Sequence, residues 1–214
     1  MVLSLAGCSL IPFSEVLFAK GQTESTQPAG VIFYDDFSDA TSGWDRVESE
    51  LGGTDYVEGG YHILVDEINT DYFSTLYRNY ENISLQVEAT WIGGPKDNNY
   101  GLICRYKDEK NFYAAMVSSD GYYAIFTIEN GIYRVLGHDN MMLSELIRED
   151  SNTIRMDCYQ DFIFLYVNDN LLDVQQDDTF SGGDVGLIAG SFDAAGVHIA
   201  FDNFYLLDPE QLME

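Results

Sequence analysis

Residues 83–91 read ISLQVEATW, and the alternation in this stretch decides the fold. Leu85, Val87, Ala89 and Trp91 fall on one side of an extended chain. Gln86, Glu88 and Thr90 fall on the other, because successive side chains of a strand point to opposite faces. Residues 153–159, TIRMDCY, repeat the pattern, with Ile154, Met156 and Cys158 opposed to Arg155, Asp157 and Tyr159. One apolar face and one polar face imply an antiparallel sheet with a core side and a wet side. In YGLICRY, residues 100–106, the same period groups Cys104 with Leu102 and Arg105 with Ile103. Both Cys104 and Cys158 are thereby directed into apolar surroundings.

Similar short runs extend outward in both directions: YHILVDE, STLYRNY, NFYAAMV, YYAIFTIE, IYRVLG, FIFLYVN, NLLDVQQ and VGLIAGS. All are rich in β-branched or aromatic residues. Asp120-Gly121 and Asn130-Gly131 suit type I′ hairpins, which need positive φ at both central positions. Asp169-Asn170 serves similarly, since both residue types tolerate the left-handed region. MMLSELIRED is either a helical turn or a structured loop. The 15 Tyr, 13 Phe and 19 Gly against only 4 Pro belong to a turn-rich β protein. The spacing of strands and turns is that of a sandwich or jelly roll. This texture holds over one domain, residues 31–208. Before it, residues 9–30 end in AKGQTESTQPAG, without periodicity, and read as a tether.

Thirty-six acidic residues face ten basic ones, a formal charge of −26. Phosphate backbones and anionic membrane surfaces are repelled by such a chain, which argues against nucleic acid as a partner. Cations are attracted, calcium above all, although most of the carboxylates serve solubility. No run of about 18 apolar residues is present to span a bilayer.

At the N-terminus, Leu5-Ala6-Gly7-Cys8 resembles the lipobox of bacterial lipoproteins, in which the cysteine is lipidated. Residues 1–8 then read as a truncated signal, with seven residues before Cys8 and no Lys or Arg among them. The resemblance implies a protein at the bacterial surface, outside the cytoplasm, touching the membrane only through a lipid anchor. Cys104 and Cys158 are reduced buried thiols in a cytosolic protein, or a disulfide in an exported one. The two expectations stand together.

The order of features also has a family likeness. DDFSDATSGW opens the domain and YVEGGYHI follows; then come GLICRYKDEKNFYAAMVSSDGYYAI, SNTIRMDCYQDFIFLYVNDNLL, GGDVGLIAGSF and VHIAFDNF. The series resembles the concanavalin A-like lectin/glucanase superfamily, nearest the LamG-like and 3-keto-disaccharide hydrolase-type (domain of unknown function 1080) jelly rolls of bacterial surface proteins. That likeness implies two stacked antiparallel sheets, one of them curved, with a carbohydrate site on its concave face. It also offers a role for Asp202, which interrupts the apolar run HIAFDNFYLL (198–207). A structural calcium often joins the first and last strands of such folds, and here Asp202 with Asp36 or Asp35 would hold it, helped by backbone carbonyls. The alternative is that Asp202 accepts backbone N–H groups or caps a turn beside Asn203.

Glucanases of the superfamily carry an E-x-D-x-x-E strand whose alternate carboxylates share one face. The chain has no such motif, no G-x-S-x-G and no H-E-x-x-H. His62, His138 and His198 are far apart, without ligand spacing. No catalytic residue is assigned, and a non-catalytic protein is expected. For sugar, the expected polar and stacking groups are Glu88, Arg105, Arg155, Asp157 and Tyr159 on the wet face, with Tyr122 and Tyr123 after the Asp120-Gly121 turn. Each of these residues also has an ordinary structural use as a core aromatic, a cross-strand pair or a solvated ion pair. Three functions follow in order: a carbohydrate-binding surface module, a structural or adhesive module with a protein partner, and a glycoside hydrolase.

Overall fold

The computed structural model describes residues 28–212. Cys8 and nearly all of the tether lie outside them. In chain order the strands are β1 Val31–Asp35, β2 Val47–Ser49, β3 Gly52–Val57, β4 Gly60–Val65, β5 Thr70–Thr75, β6 Ile83–Gly93, β7 Asn98–Asp108 and β8 Asn111–Val117. They continue as β9 Tyr122–Glu129, β10 Ile132–Val135, β11 Met142–Leu143, β12 Ser151–Tyr159, β13 Phe162–Val167, β14 Asn170–Gln176, β15 Asp184–Ser191 and β16 Val197–Leu207. A 3₁₀ turn, Pro209–Leu212, follows.

Two antiparallel sheets form a jelly-roll sandwich. One has nine strands, ordered β14-β13-β12-β6-β16-β4-β3-β2, with β1 paired to β16. The other has seven, ordered β10-β9-β8-β7-β15-β5, with β11 paired to β9. Alternation places Leu85, Val87, Ala89, Ile154, Met156 and Cys158 from the first sheet against Leu102, Cys104, Ala115, Leu187 and Ala189 from the second. Trp91 continues the inward set but is only half-buried at its edge.

Cys104 and Cys158 form a disulfide with Cα atoms 6.7 Å apart, inside the reach such a bond allows. It ties β7 of one sheet to β12 of the other. The loop it closes spans 54 residues, worth about 4 kcal/mol through the unfolded chain.

Motifs at the domain entrance are explained by side-chain capping. Asp35 accepts the Phe37 amide at 2.8 Å and the Trp44 indole N–H at 3.0 Å, which links the ends of DDFSDATSGW. Asp184 accepts the amides of Tyr77 and Arg78 at 2.6 and 2.7 Å. That contact pulls the chain out of β5 after Leu76, so the strand ends earlier than STLYRNY suggests.

The turns follow their chemistry with two changes. Asn130 and Gly131 both have positive φ, 52° and 77°, as a type I′ turn requires. Asp120-Gly121 is not such a pair: the Gly121 amide bonds the Ser118 carbonyl, and only Gly121 is left-handed. In the third hairpin the positive-φ pair is Asn168-Asp169, one residue before the expected position. The stretch MMLSELIRED holds the two-residue β11 and then a loop, with no helix.

The answer for Asp202 is a bulge. Asp202 pairs with Glu88 but Tyr205 pairs with Gln86, so β16 carries one extra residue, and Asn203 takes φ 49°. Phe201 and Phe204 can then both face the core while Asp202 is exposed.

Candidate functional site

Four of the expected residues share the outer face of the nine-stranded sheet: Glu88, Arg155, Asp157 and Tyr159. Arg155 holds Asp157 through Nε and Nη2 at 2.8 and 2.6 Å, and the Ser84 hydroxyl donates to the same carboxylate at 2.5 Å. The guanidinium lies 4.4 Å from the Tyr166 ring centroid. Glu88 accepts from the Asn203 side-chain amide at 3.2 Å. Glu88, Arg155 and Asp157 are thus engaged by neighbouring protein groups. The cavity beside them, between Gln86, Thr153, Arg155, Tyr166 and Asp169, is about 150 Å³, below the size of an ordinary ligand pocket.

Arg105 is not on the wet face. It is 2 % exposed. A bulge in β7 gives Arg105 φ 52° and turns its side chain between the sheets. There it donates to the carbonyls of Phe180 at 2.8 Å, Glu81 at 3.3 Å and Gln160. Desolvation lowers its pKa, yet no carboxylate bonds it. The residue brackets three loops and cannot meet a sugar. Tyr123 likewise packs against the core, its hydroxyl donating to the Leu172 carbonyl at 3.4 Å. Tyr122, next to it, points to the other face and is exposed.

Tyr122 is part of a mouth at one end of the seven-stranded sheet. A cavity of about 520 Å³ opens there, lined by Asp97, Ser118, Asp120, Tyr122, Asn140, Met141 and Phe192. Four loops build it, and polar contacts lock three of them together. Asn98 donates to the Pro95 carbonyl at 2.8 Å and the Ser119 hydroxyl at 3.1 Å, and accepts the Ser119 amide at 3.0 Å. Ser118 Oγ donates to the Lys96 carbonyl at 2.9 Å and to Asp120 at 2.5 Å. The segment carrying Asn140 and Met141 is held by pairing of Leu143 with Tyr122 and by the Ser144 amide on the Gly121 carbonyl. Burial pushes the Asp97 carboxyl up, and the charges of Asp120 and Asp193 push the same way.

Behind the mouth the outward face of this sheet is apolar and covered. Ile103, Phe112, Ala114, Met116, Ala124, Phe126, Ile128 and Ile188 form a second cluster under Phe73, Tyr106, Val135 and Met141. Asp71, from β5, lies across Gly190: a Cβ built there would meet Asp71 Oδ1 at 1.7 Å and Asn99 Oδ1 at 2.8 Å. The Tyr133 phenol, from β10, approaches Asp71 from the opposite edge of the sheet, near enough for each to perturb the titration of the other. Desolvation raises the pKa of each. Asn99 Oδ1 has no hydrogen-bond partner. None of Asp71, Asn99 or Tyr133 stands out in the sequence, because what gathers them is the curl of the sheet.

Asp36 follows the last residue of β1 and lies near Asp202, which is in the middle of β16. Asp36 accepts the amide and hydroxyl of Ser38 at 3.1 and 2.6 Å. Asp202 accepts the Asn203 amide at 2.7 Å. Partial burial raises the Asp202 pKa, and the charges of Glu88 and Asp36 add to the rise. Among the described residues, no three acidic, histidine or cysteine side chains converge at metal-ligand geometry.

No protein-family model and no curated protein matches the sequence. Solved structures do match. The fold is that of a jelly-roll sandwich of the concanavalin A-like type. The carbohydrate-binding module CBM66 from Bacillus subtilis is 22% identical, with 78% of this chain and 96% of that one covered at a TM-score of 0.64. A Bacillus subtilis protein of unknown function with a galectin-like fold is 9% identical, with 85% and 97% covered at 0.61. The Bacillus licheniformis β-glucanase is 12% identical, with 85% and 100% covered at 0.57. At these identities the likeness is one of fold.

Proposed function

We propose that this protein is a non-catalytic carbohydrate-binding module that takes a neutral sugar at the mouth of the seven-stranded sheet. The observation that carries the reading is the cavity of about 520 Å³ in which the exposed Tyr122 ring stands beside Asp97, Asp120 and Asn140. A ring face with acceptors for hydroxyl groups is what sugar recognition needs. Carboxylates dominate its rim, so anionic sugars would be repelled. Carbohydrate-binding and glucanase neighbours of the same fold support the class of partner. The acidic residues are held at a loop-built rim, without the alternate-strand pair that glycosidases use, which favours binding over cleavage.

The disulfide supports an exported protein, and the lipobox-like start supports a lipid-tethered one at the bacterial surface. Calcium near Asp36 and Asp202 belongs to the same proposal, since a cation there would relieve the mutual repulsion of Asp36, Asp202 and Glu88.

The test is a glycan array probed with the full chain, the Tyr122→Ala variant and the Asp97→Asn variant. Binding to neutral glycans that falls about tenfold or more with Tyr122→Ala is the expected result. Binding unchanged in both variants would move the site elsewhere. Silence across the array would favour a protein partner. Release of reducing sugar ends from a bound glycan would return the hydrolase reading.

A further inference from the structure

The outer face of the nine-stranded sheet holds a second cavity, about 670 Å³, far from the mouth and not used by the sugar reading. Its floor carries two of the three histidines of the chain. His62 lies on β4 and His198 on β16; the pairing of His62 with Ala200 and His198 with Leu64 makes them diagonal neighbours on one face. Across 136 residues of sequence, His62 Nδ1 and His198 Nε2 stand 2.8 Å apart. The ring centroids are 5.0 Å apart, with the planes inclined at 59°.

We propose that His62 and His198 together chelate a divalent transition-metal ion, zinc, nickel or copper, with water completing its coordination. Imidazole suits these metals, while carboxylate and carbonyl oxygens suit calcium and magnesium. Metal–nitrogen bonds of about 2.0–2.1 Å place two ligand nitrogens of one ion about 2.9–3.4 Å apart. The observed separation needs an opening of a few tenths of an ångström at most, within the freedom of two half-buried rings. Without metal, one of the two inward nitrogens donates its N–H to the other; when that proton shifts to the outward nitrogen of its ring, both inward nitrogens have lone pairs to offer one ion.

The charged neighbours fit a cation. Asp55, directly across from His62 on β3, is held by Arg46 Nε at 2.6 Å and the Tyr56 amide at 2.8 Å, so it serves the wall and not the ion. Glu48 lines the same cavity, and the charge of Glu58 is felt at His62. Arg46 is the one cation of the lining, and Asp55 neutralises it.

The experiment is calorimetric titration of the full chain with nickel and with zinc chloride at neutral pH, calcium chloride serving as the control for diffuse carboxylate binding. One site per chain for nickel and zinc is expected, absent for calcium, and weakened about tenfold or more in both His62→Gln and His198→Gln. His138→Gln, beside Asp173 elsewhere in the fold, is expected to bind as the parent does. Copper added to the parent should give a spin-resonance spectrum with two coupled nitrogens, and this reading does not depend on the variants folding well. Affinity unchanged in either His62 or His198 variant, or a copper spectrum with a single nitrogen, would overturn the proposal.

Discussion

Tyr133 and Asp71 stand on strands at opposite ends of the seven-stranded sheet, yet the phenol of one lies near enough to feel the charge of the other's carboxylate. Flat strands lie about 4.8 Å apart, so a sheet six strands across could not bring such residues together. The sheet must curl strongly. Gly101, Gly186, Gly190, Ala114 and Ala124 leave its outward face low enough for the two side chains to approach over it. The polar pair lies over the apolar floor of this face, and the mouth around Tyr122 opens beside it.

Asp71 makes stability depend on pH in a specific direction. Burial raises its folded pKa above the ordinary 3.8, so the folded state holds the proton more tightly than the unfolded chain. Stability should therefore fall as pH rises from about 3.8 through the folded pKa, and stay level beyond it. Urea unfolding across that window should show this slope in the parent and not in Asp71→Asn.

The disulfide should matter only when formed. Cys104→Ser is expected to lower stability by about 4 kcal/mol in oxidised protein and much less under dithiothreitol, where the parent loses the same cross-link. Paired urea curves measure both. An equal loss in the two conditions would assign the effect to packing.

Arg105 is expected to be among the costliest positions to change. Arg105→Met removes the guanidinium donors to three carbonyls, and the loss should be about 3 kcal/mol or more. Thermal unfolding reads it. Glycan binding by whatever fraction remains folded should be unchanged, because the side chain is remote from the mouth.

Calcium, if it bridges Asp36 and Asp202, should raise the melting temperature, and EDTA should reverse the rise. Asp202→Asn should abolish the response and, in EDTA, be as stable as the parent or more so, since it removes a carboxylate crowded by Glu88 and Asp36. A calcium response that survives Asp202→Asn would refute this placement.

What could be read from the sequence was whatever repeats with the period of a strand. The inward rows of β6 and β12, the two cysteines and the Asn130-Gly131 turn all follow from local alternation and turn chemistry. Arg105 did not follow, because a bulge is a property of two strands in register, and nothing in YGLICRY marks where the partner slips. The mouth was half legible: Tyr122 was visible beside its turn, but Asp97, Asn140 and Phe192 come from loops that only the folded sheet assembles. His62 and His198 looked unrelated for the same reason, since adjacency of β4 and β16 is a fact of topology.

The extra residue at Asn203 acts as a change of phase. Before it, odd-numbered residues of β16 face inward, Val197, Ile199 and Phe201; after it, even-numbered ones do, Phe204 and Leu206. The same point is where β4 leaves off as neighbour and β1 takes over. Deleting Asn203 would restore unbroken parity, and one half of the strand would then present its greasy side to water. Homologous strands could thus lengthen or shorten at their ends without harm, while a single-residue gap at this position would be the most damaging length change in the last strand.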